Sequence, residues 1–168
     1  MPGGFTLVEI LVALVLLSVG LLGLLAFQAA ALVHTRLSAT QSTAIVLVQD
    51  MAARIRANPA GARANGYALI RPPVAAEANC NQAFCTPTQM AAWDAWSWTA
   101  QVAGALPSGR GRVTCLDRGT ADQDACSTGS PYRVVVIWVE ADRRGDAPDR
   151  CPQLNAINDR CLMQMIPP

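Results

Sequence analysis

Gly4-Phe5-Thr6-Leu7-Val8-Glu9, running straight into Ile10, is the stretch on which the reading of this chain turns. From Ile10 to Val33 no side chain carries a charge, and only Ser18, Gly20, Gly23 and Gln28 interrupt a run dominated by Leu, Val, Ala and Ile. Those 24 residues exceed the ~20 a helix needs to cross a bilayer core. The run is too long for the apolar core of an ordinary secretory signal, and no signal-peptidase site follows it. Read plainly, it is a single-pass membrane anchor. Glu9 is what that plain reading leaves unexplained. A carboxylate at the lip of an apolar helix is costly and normally has a partner. Either Glu9 stands in water at the interface, or it meets a cation from another chain. A free α-amine, exposed by cutting before Phe5, would serve.

Beyond His34 the pattern changes. Ala44, Val48, Met51 and Ile55 fall on one helical stripe, while Arg36, Gln41, Asp50, Arg54 and Arg56 occupy other positions. No proline lies between Phe5 and Asn58, so one helix of about 53 residues, or ~80 Å, is expected. Asn58-Pro59-Ala60-Gly61 supplies the stop. Gly20 and Gly23 read as ordinary glycines of a membrane helix.

The rest of the chain is a different material. Apolar residues make up 52% of the 168 and charged residues 15%, with nearly all charges from Arg54 onward. This describes an apolar segment joined to one modest domain. The net charge of +1 offers no global field for steering toward nucleic acid, and no direct nucleic-acid contact is expected. All 13 basic residues are Arg, a compositional habit given no functional weight.

The six cysteines, Cys80, Cys85, Cys115, Cys126, Cys151 and Cys161, all lie in this second part. An even number in a small exported domain reads as a disulfide framework, with fifteen possible connectivities. Zinc sites favour close Cys or His pairs, and here there is no C-x2-C and only His34. No metal and no cofactor are expected. The sequential pairs 80–85, 115–126 and 151–161 are preferred, since short loops close at low entropic cost. The compartment implied is oxidising: periplasm or outside.

Residues 59 to 110 look irregular, broken by Gly61, Gly66, Pro72, Pro73, Pro87 and Pro107. One short helix is expected at 90–102, with Trp93 and Trp96 on one face and Trp98 apart. The tryptophans suggest a sugar- or surface-binding patch, but are weighed as packing residues of a small core. Strands are expected at 112–116, 132–140 and 160–166. The run Val134-Val135-Val136-Ile137-Trp138-Val139 calls for cover on both sheet faces, one of them by the first helix. The fold class is α+β: a long helix on a small antiparallel sheet with disulfide-pinned loops.

Gly4-Phe5-Thr6-Leu7-Val8-Glu9 and the apolar run resemble the class III signal of type IV pilins and type II secretion pseudopilins. The resemblance implies that a prepilin peptidase cuts after Gly4 and N-methylates Phe5. It also implies that Glu9 pairs with a neighbouring subunit's terminal amine during assembly. The segments expected are a leader at 1–4, the membrane half of the helix at 5–33, its amphipathic half at 34–58 and a periplasmic or extracellular α+β domain at 59–168. The leader carries no Lys or Arg, a departure from the family's habit.

Within that class the chain looks most like the PilV family of minor pilins, the pilus modification proteins. The matching stretches are Leu17-Ser18-Val19-Gly20-Leu21-Leu22-Gly23-Leu24, the segment from Asp50 to Gly61, Leu106-Pro107-Ser108-Gly109-Arg110-Gly111 and the strand from Tyr132 to Val139. Major pilins often carry a helix-kinking proline that this chain lacks. The resemblance implies a low-copy subunit, inner-membrane and single-pass before assembly, that joins other minor pilins and the major pilin to prime a pilus and sits at its tip. An inner-membrane assembly platform is then a further partner. A minor pseudopilin of a type II secretion system and a membrane-anchored adhesin are the alternatives.

Enzyme readings find no footing. A lone His34, no Gly-x-Ser-x-Gly and no phosphate-cradling loop leave no nucleophile–base constellation. The loops around Asp117, Asp122 and Asp124 and around Asp142, Asp146 and Asp149 resemble neither an EF-hand nor a dense oxygen cage. They read as solvated charged loops.

Overall fold

A computed structural model describes residues 4, 6–75, 78–117, 126–127, 129–140 and 159–167. The chain divides into two compact units, Met1–Gln41 and Ser42–Pro168.

The first unit is carried by helix α1, which runs Leu7–Ala57. Its apolar side chains stand open, among them Leu16 at 68% and Phe27 at 72% exposure. The helix is long and apolar enough to cross a membrane. The hydroxyls of Ser18 and Thr35 donate to the carbonyls of Val15 and Ala31, so neither would be left unpaired in lipid.

In the second unit, Ala44, Leu47, Val48, Met51, Ala52 and Ile55 form the buried stripe of α1. Leu47 and Ala52 widen the four-residue stripe expected from spacing. Helix α2 (Pro59–Arg63) follows at once. The Asn58-Pro59 stop is therefore also a start: the Asn58 side chain accepts from the Gly61 N–H, and Pro59 takes the first turn, where a missing N–H costs nothing.

Helix α3 spans Pro87–Ala105, longer at both ends than the expected 90–102. Pro87, read as a breaker, sits in the first turn instead. Thr86 accepts from the Gln89 N–H while the Gln89 side chain accepts from the Thr86 N–H, closing a capping box.

The sheet has four strands in sequential order, all antiparallel: β1 (Leu69–Ile70), β2 (Arg110–Cys115), β3 (Tyr132–Val139) and β4 (Asp159–Ile166). The two-residue β1 lay in the stretch read as irregular. It pairs Leu69 with Thr114 and Ile70 with Val113. Alternation puts Val113, Tyr132, Val134, Val136 and Trp138 on the inner face, in one core with the α1 stripe and with Ala91, Ala95, Trp98 and Val102 of α3. Side chains of this size contribute about 1.5–3 kcal/mol each when fully buried. The opposite face of β3 is also closed: Val135 is 4% and Ile137 1% exposed. Their register neighbours are Arg112 and Arg110 on one side and Met163 and Cys161 on the other, so arginine stems supply part of the cover.

Disulfides join Cys80 to Cys85 and Cys115 to Cys126, with Cα–Cα distances of 5.5 and 5.7 Å. Cys161 is disulfide-bonded too, and the 151–161 pairing involves a residue outside the described ones.

Candidate functional site

The N-terminal motif is assembled by local helix chemistry. The Thr6 carbonyl accepts from the N–H groups of Glu9 and Ile10 at 3.1 and 3.3 Å, and the Thr6 hydroxyl accepts from the Glu9 N–H at 3.4 Å. Glu9 thus occupies the first turn of α1, where the helix dipole favours a carboxylate. Thr-x-x-Glu is the sequence signature of a capping box, so the motif itself carries the signal that places Glu9 in a helical first turn. Its side chain is exposed, so the carboxylate is open to a cation as well as to water. A Cβ built at Gly4 would touch nothing within 4 Å, so packing places no demand for glycine there. Phe5 lies outside the described residues.

At the far end of α1 a second polar constellation forms, which sequence reasoning did not single out. Arg54 donates from Nε to Asp50 at 3.0 Å and from Nη1 to Asp94 at 3.2 Å and to the Ser97 hydroxyl at 2.7 Å. Tyr67 donates to the other Asp94 oxygen at 2.6 Å, and Asn58 donates to the Tyr67 oxygen at 3.1 Å and to the Pro87 carbonyl at 2.8 Å. Burial, followed by the hydrogen bond to Asp94, pushes the Tyr67 phenol far above its ordinary value. The phenol is a fixed neutral donor and the cluster a clasp, locking the end of α1 to α3. The signal was Asp94 itself: a carboxylate flanked by Trp93 and Trp96 at the centre of an apolar helix needs a buried partner.

The tryptophans divide. Trp98 is fully buried and its indole N–H donates to the Leu47 carbonyl at 2.8 Å. Trp93 and Trp96 are not core residues. Their rings meet at a tilt with centroids 4.7 Å apart, and Trp96 remains 38% exposed, because Ala91, Ala95, Trp98 and Val102 already fill the inner face of α3.

Of the acidic loops, only Asp117 falls among the described residues; Asp122, Asp124, Asp142, Asp146 and Asp149 lie outside them. One Asp117 oxygen accepts from the Ser127 N–H and the Ser130 hydroxyl, both at 3.2 Å, and so braces its own loop. No cluster of metal-ligating side chains occurs among the described residues.

Residues 3–25 match the family model described as the prokaryotic N-terminal methylation motif. Residues 26–96 match the model described as type IV pilin Tt1218, a span that takes in Asp50, Arg54, Asn58, Tyr67 and Asp94 of the clasp. No curated protein and no solved structure matches the chain significantly.

Proposed function

We propose that the chain, which matches the N-terminal methylation motif over residues 3–25 and a type IV pilin model over residues 26–96, serves as a minor pilin of the PilV type, one that helps to prime pilus assembly and is carried at the tip. It is a structural subunit, not an enzyme. The motif implies processing by a prepilin peptidase and entry into a pilus. Cleavage falls between Gly4 and Phe5, Phe5 receives the methyl group, and Glu9 pairs with the terminal amine of a neighbouring subunit. Before assembly the apolar half of α1 anchors the chain in the inner membrane, with the domain after residue 58 in the periplasm.

The observation that carries this reading is the pairing of an exposed, dipole-stabilised Glu9 with a Gly4 for which the fold has no use. A glycine without a packing role, next to an acid without a buried partner, fits recognition by a peptidase and then by another subunit. The minor-pilin assignment draws on the likeness of Leu17 to Leu24 and Asp50 to Gly61, and on the absence of proline throughout α1.

The test is to replace the chain in its host with the Glu9→Ala form. Surface pili are expected to fall sharply while the N-terminus is still cut and export of secreted proteins continues. Normal piliation with the substituted subunit would count against the role. Intact pili with failed export would move the chain to a type II secretion system.

A further inference from the structure

At the C-terminal end of α1 the domain contains a pocket of about 440 Å³, within the range of ligand-sized cavities. Ile55, Tyr132 and Ile166 give it an apolar wall, and Arg56, Arg63 and Pro167 stand exposed on its lining. Tyr132 is held in place by donation to the Ala62 carbonyl at 3.0 Å, and burial raises its phenol above the ordinary value, so it presents a neutral ring.

The charge of this pocket is one-sided. Two guanidinium groups face it, no carboxylate is found among its described lining residues, and neither Arg56 nor Arg63 makes a hydrogen bond or ion pair among the described residues. Arg71 and Arg133 are likewise without a carboxylate partner among the described residues, so what sets Arg56 and Arg63 apart is that both line one pocket. Arg54, Arg110 and Arg160 are each committed to a carboxylate within 3.2 Å. An apolar wall beside two uncommitted guanidinium forks matches a carboxylate attached to an apolar body, since a guanidinium binds carboxylates in bidentate fashion.

We propose that this pocket is a docking site for another subunit of the filament, which inserts an Asp or Glu side chain adjacent to an apolar one. The carboxylate is taken by Arg56 and Arg63, and the apolar neighbour rests on the accessible apolar lining, Pro59, Ala62 and Pro167, above the buried Ile55, Tyr132 and Ile166. The proposal rests on the reading of the chain as a pilin subunit and deepens it, because it names the surface and the chemistry of the partner contact.

The experiment places the photo-crosslinking residue p-benzoylphenylalanine at Pro167 in the full-length chain, expressed in its own host, with Met165 as the control position. Met165 does not line the pocket, and by strand alternation it lies on the face of β4 opposite Ile166, whereas Pro167, just beyond the end of the strand, does line it. Ultraviolet light should join position 167 to another pilin-like subunit, at a segment where an acid adjoins an apolar residue. The reversal Arg56→Glu with Arg63→Glu should cut the yield about tenfold or more. Reversing the partner's acid to Arg should restore it. Both arginines are exposed, and the milder pair Arg56→Gln with Arg63→Gln should show the same loss with even less risk to the fold.

An adduct indifferent to both charge changes would overturn the proposal. So would equal labelling from Met165, an adduct to lipid or a small molecule alone, or no adduct on a chain whose Phe5 is methylated. Should Phe5 prove unprocessed, the pilin reading falls and takes this docking site with it.

Discussion

Arg54 and Asp94, forty positions apart in sequence, form a 3.2 Å ion pair that ties the last turn of α1 to the middle of α3. The pair is largely out of water, with side-chain exposures of 21% and 11%, and each member is held by further bonds to Asp50, Ser97 or Tyr67. A network satisfied at this level holds the last turn of α1 against α3 within the second unit. Removing one member strands the others. Arg54→Ala is therefore expected to destabilise the domain by roughly 2 kcal/mol, and Asp50→Ala, whose carboxylate is more exposed, by less than 1. Thermal unfolding of the full-length protein in detergent, followed by the near-ultraviolet tryptophan signal, ranks the two.

Two buried phenols, Tyr67 inside this network and Tyr132 outside it, set a pH dependence. Tyr67 and Tyr132 both have phenols raised above the ordinary 10.0, so the folded state prefers them neutral. Below pH 10 folded and unfolded chains are equally protonated at these groups and the stabilisation is complete. Above it the unfolded chain releases protons that the folded chain retains, and stability falls as pH rises. The melting temperature should hold up to about pH 10 and fall as pH rises beyond it. Tyr67→Phe should melt lower at pH 9 and show a shallower decline. A flat profile for the native chain would contradict the assignment.

Trp98 and Gly111 are packed so closely that a Cβ on Gly111 would run into the indole ring. Gly111→Ala should cost about 1–3 kcal/mol through overpacking. Trp98→Phe removes the bond to the Leu47 carbonyl together with part of the buried ring, and should cost a similar amount. Urea midpoints of the two variants give the comparison.

The Cys115–Cys126 bridge closes a loop of 11 residues' separation between β2 and β3 and should stabilise the domain by about 2–3 kcal/mol. Cys115→Ser with Cys126→Ser should lower the melting temperature by an amount that reflects this loss. The Cys80–Cys85 double substitution should leave the sheet intact and loosen only the start of α3, where the Cys80 sulfur contacts the Gln89 carbonyl at 3.8 Å.

Much of this architecture was legible in the residues. The long apolar run, the stripe from Ala44 to Ile55 and the β-branched block at β3 each carry a periodicity that physics ties to one kind of element, and α1, β3 and β4 lie within a residue or two of expectation. What the residues did not show has three separate causes. Pro59 and Pro87 read as breaks because proline ends helices, yet at a first turn it begins them, and only the capping partners Asn58, Thr86 and Gln89 reveal which applies. β1 is two residues long, too short to show alternation, and exists because β2 offers it an edge. The clasp joins Arg54 to Asp94 over a separation that no local pattern reports. Phe84, fully exposed in the Cys80–Cys85 loop, has no account in the structure.

The account stands on the bond between Gly4 and Phe5 being cut so that Glu9 can meet a neighbour's amine. Mass spectrometry of the protein isolated from its host tests this directly. The expected N-terminal peptide begins at Phe5 and carries one added methyl group on its amine, and in a Gly4→Leu chain that peptide is replaced by one retaining the leader. An isolated protein that begins at Met1, unmethylated, in cells that assemble pili normally would contradict it.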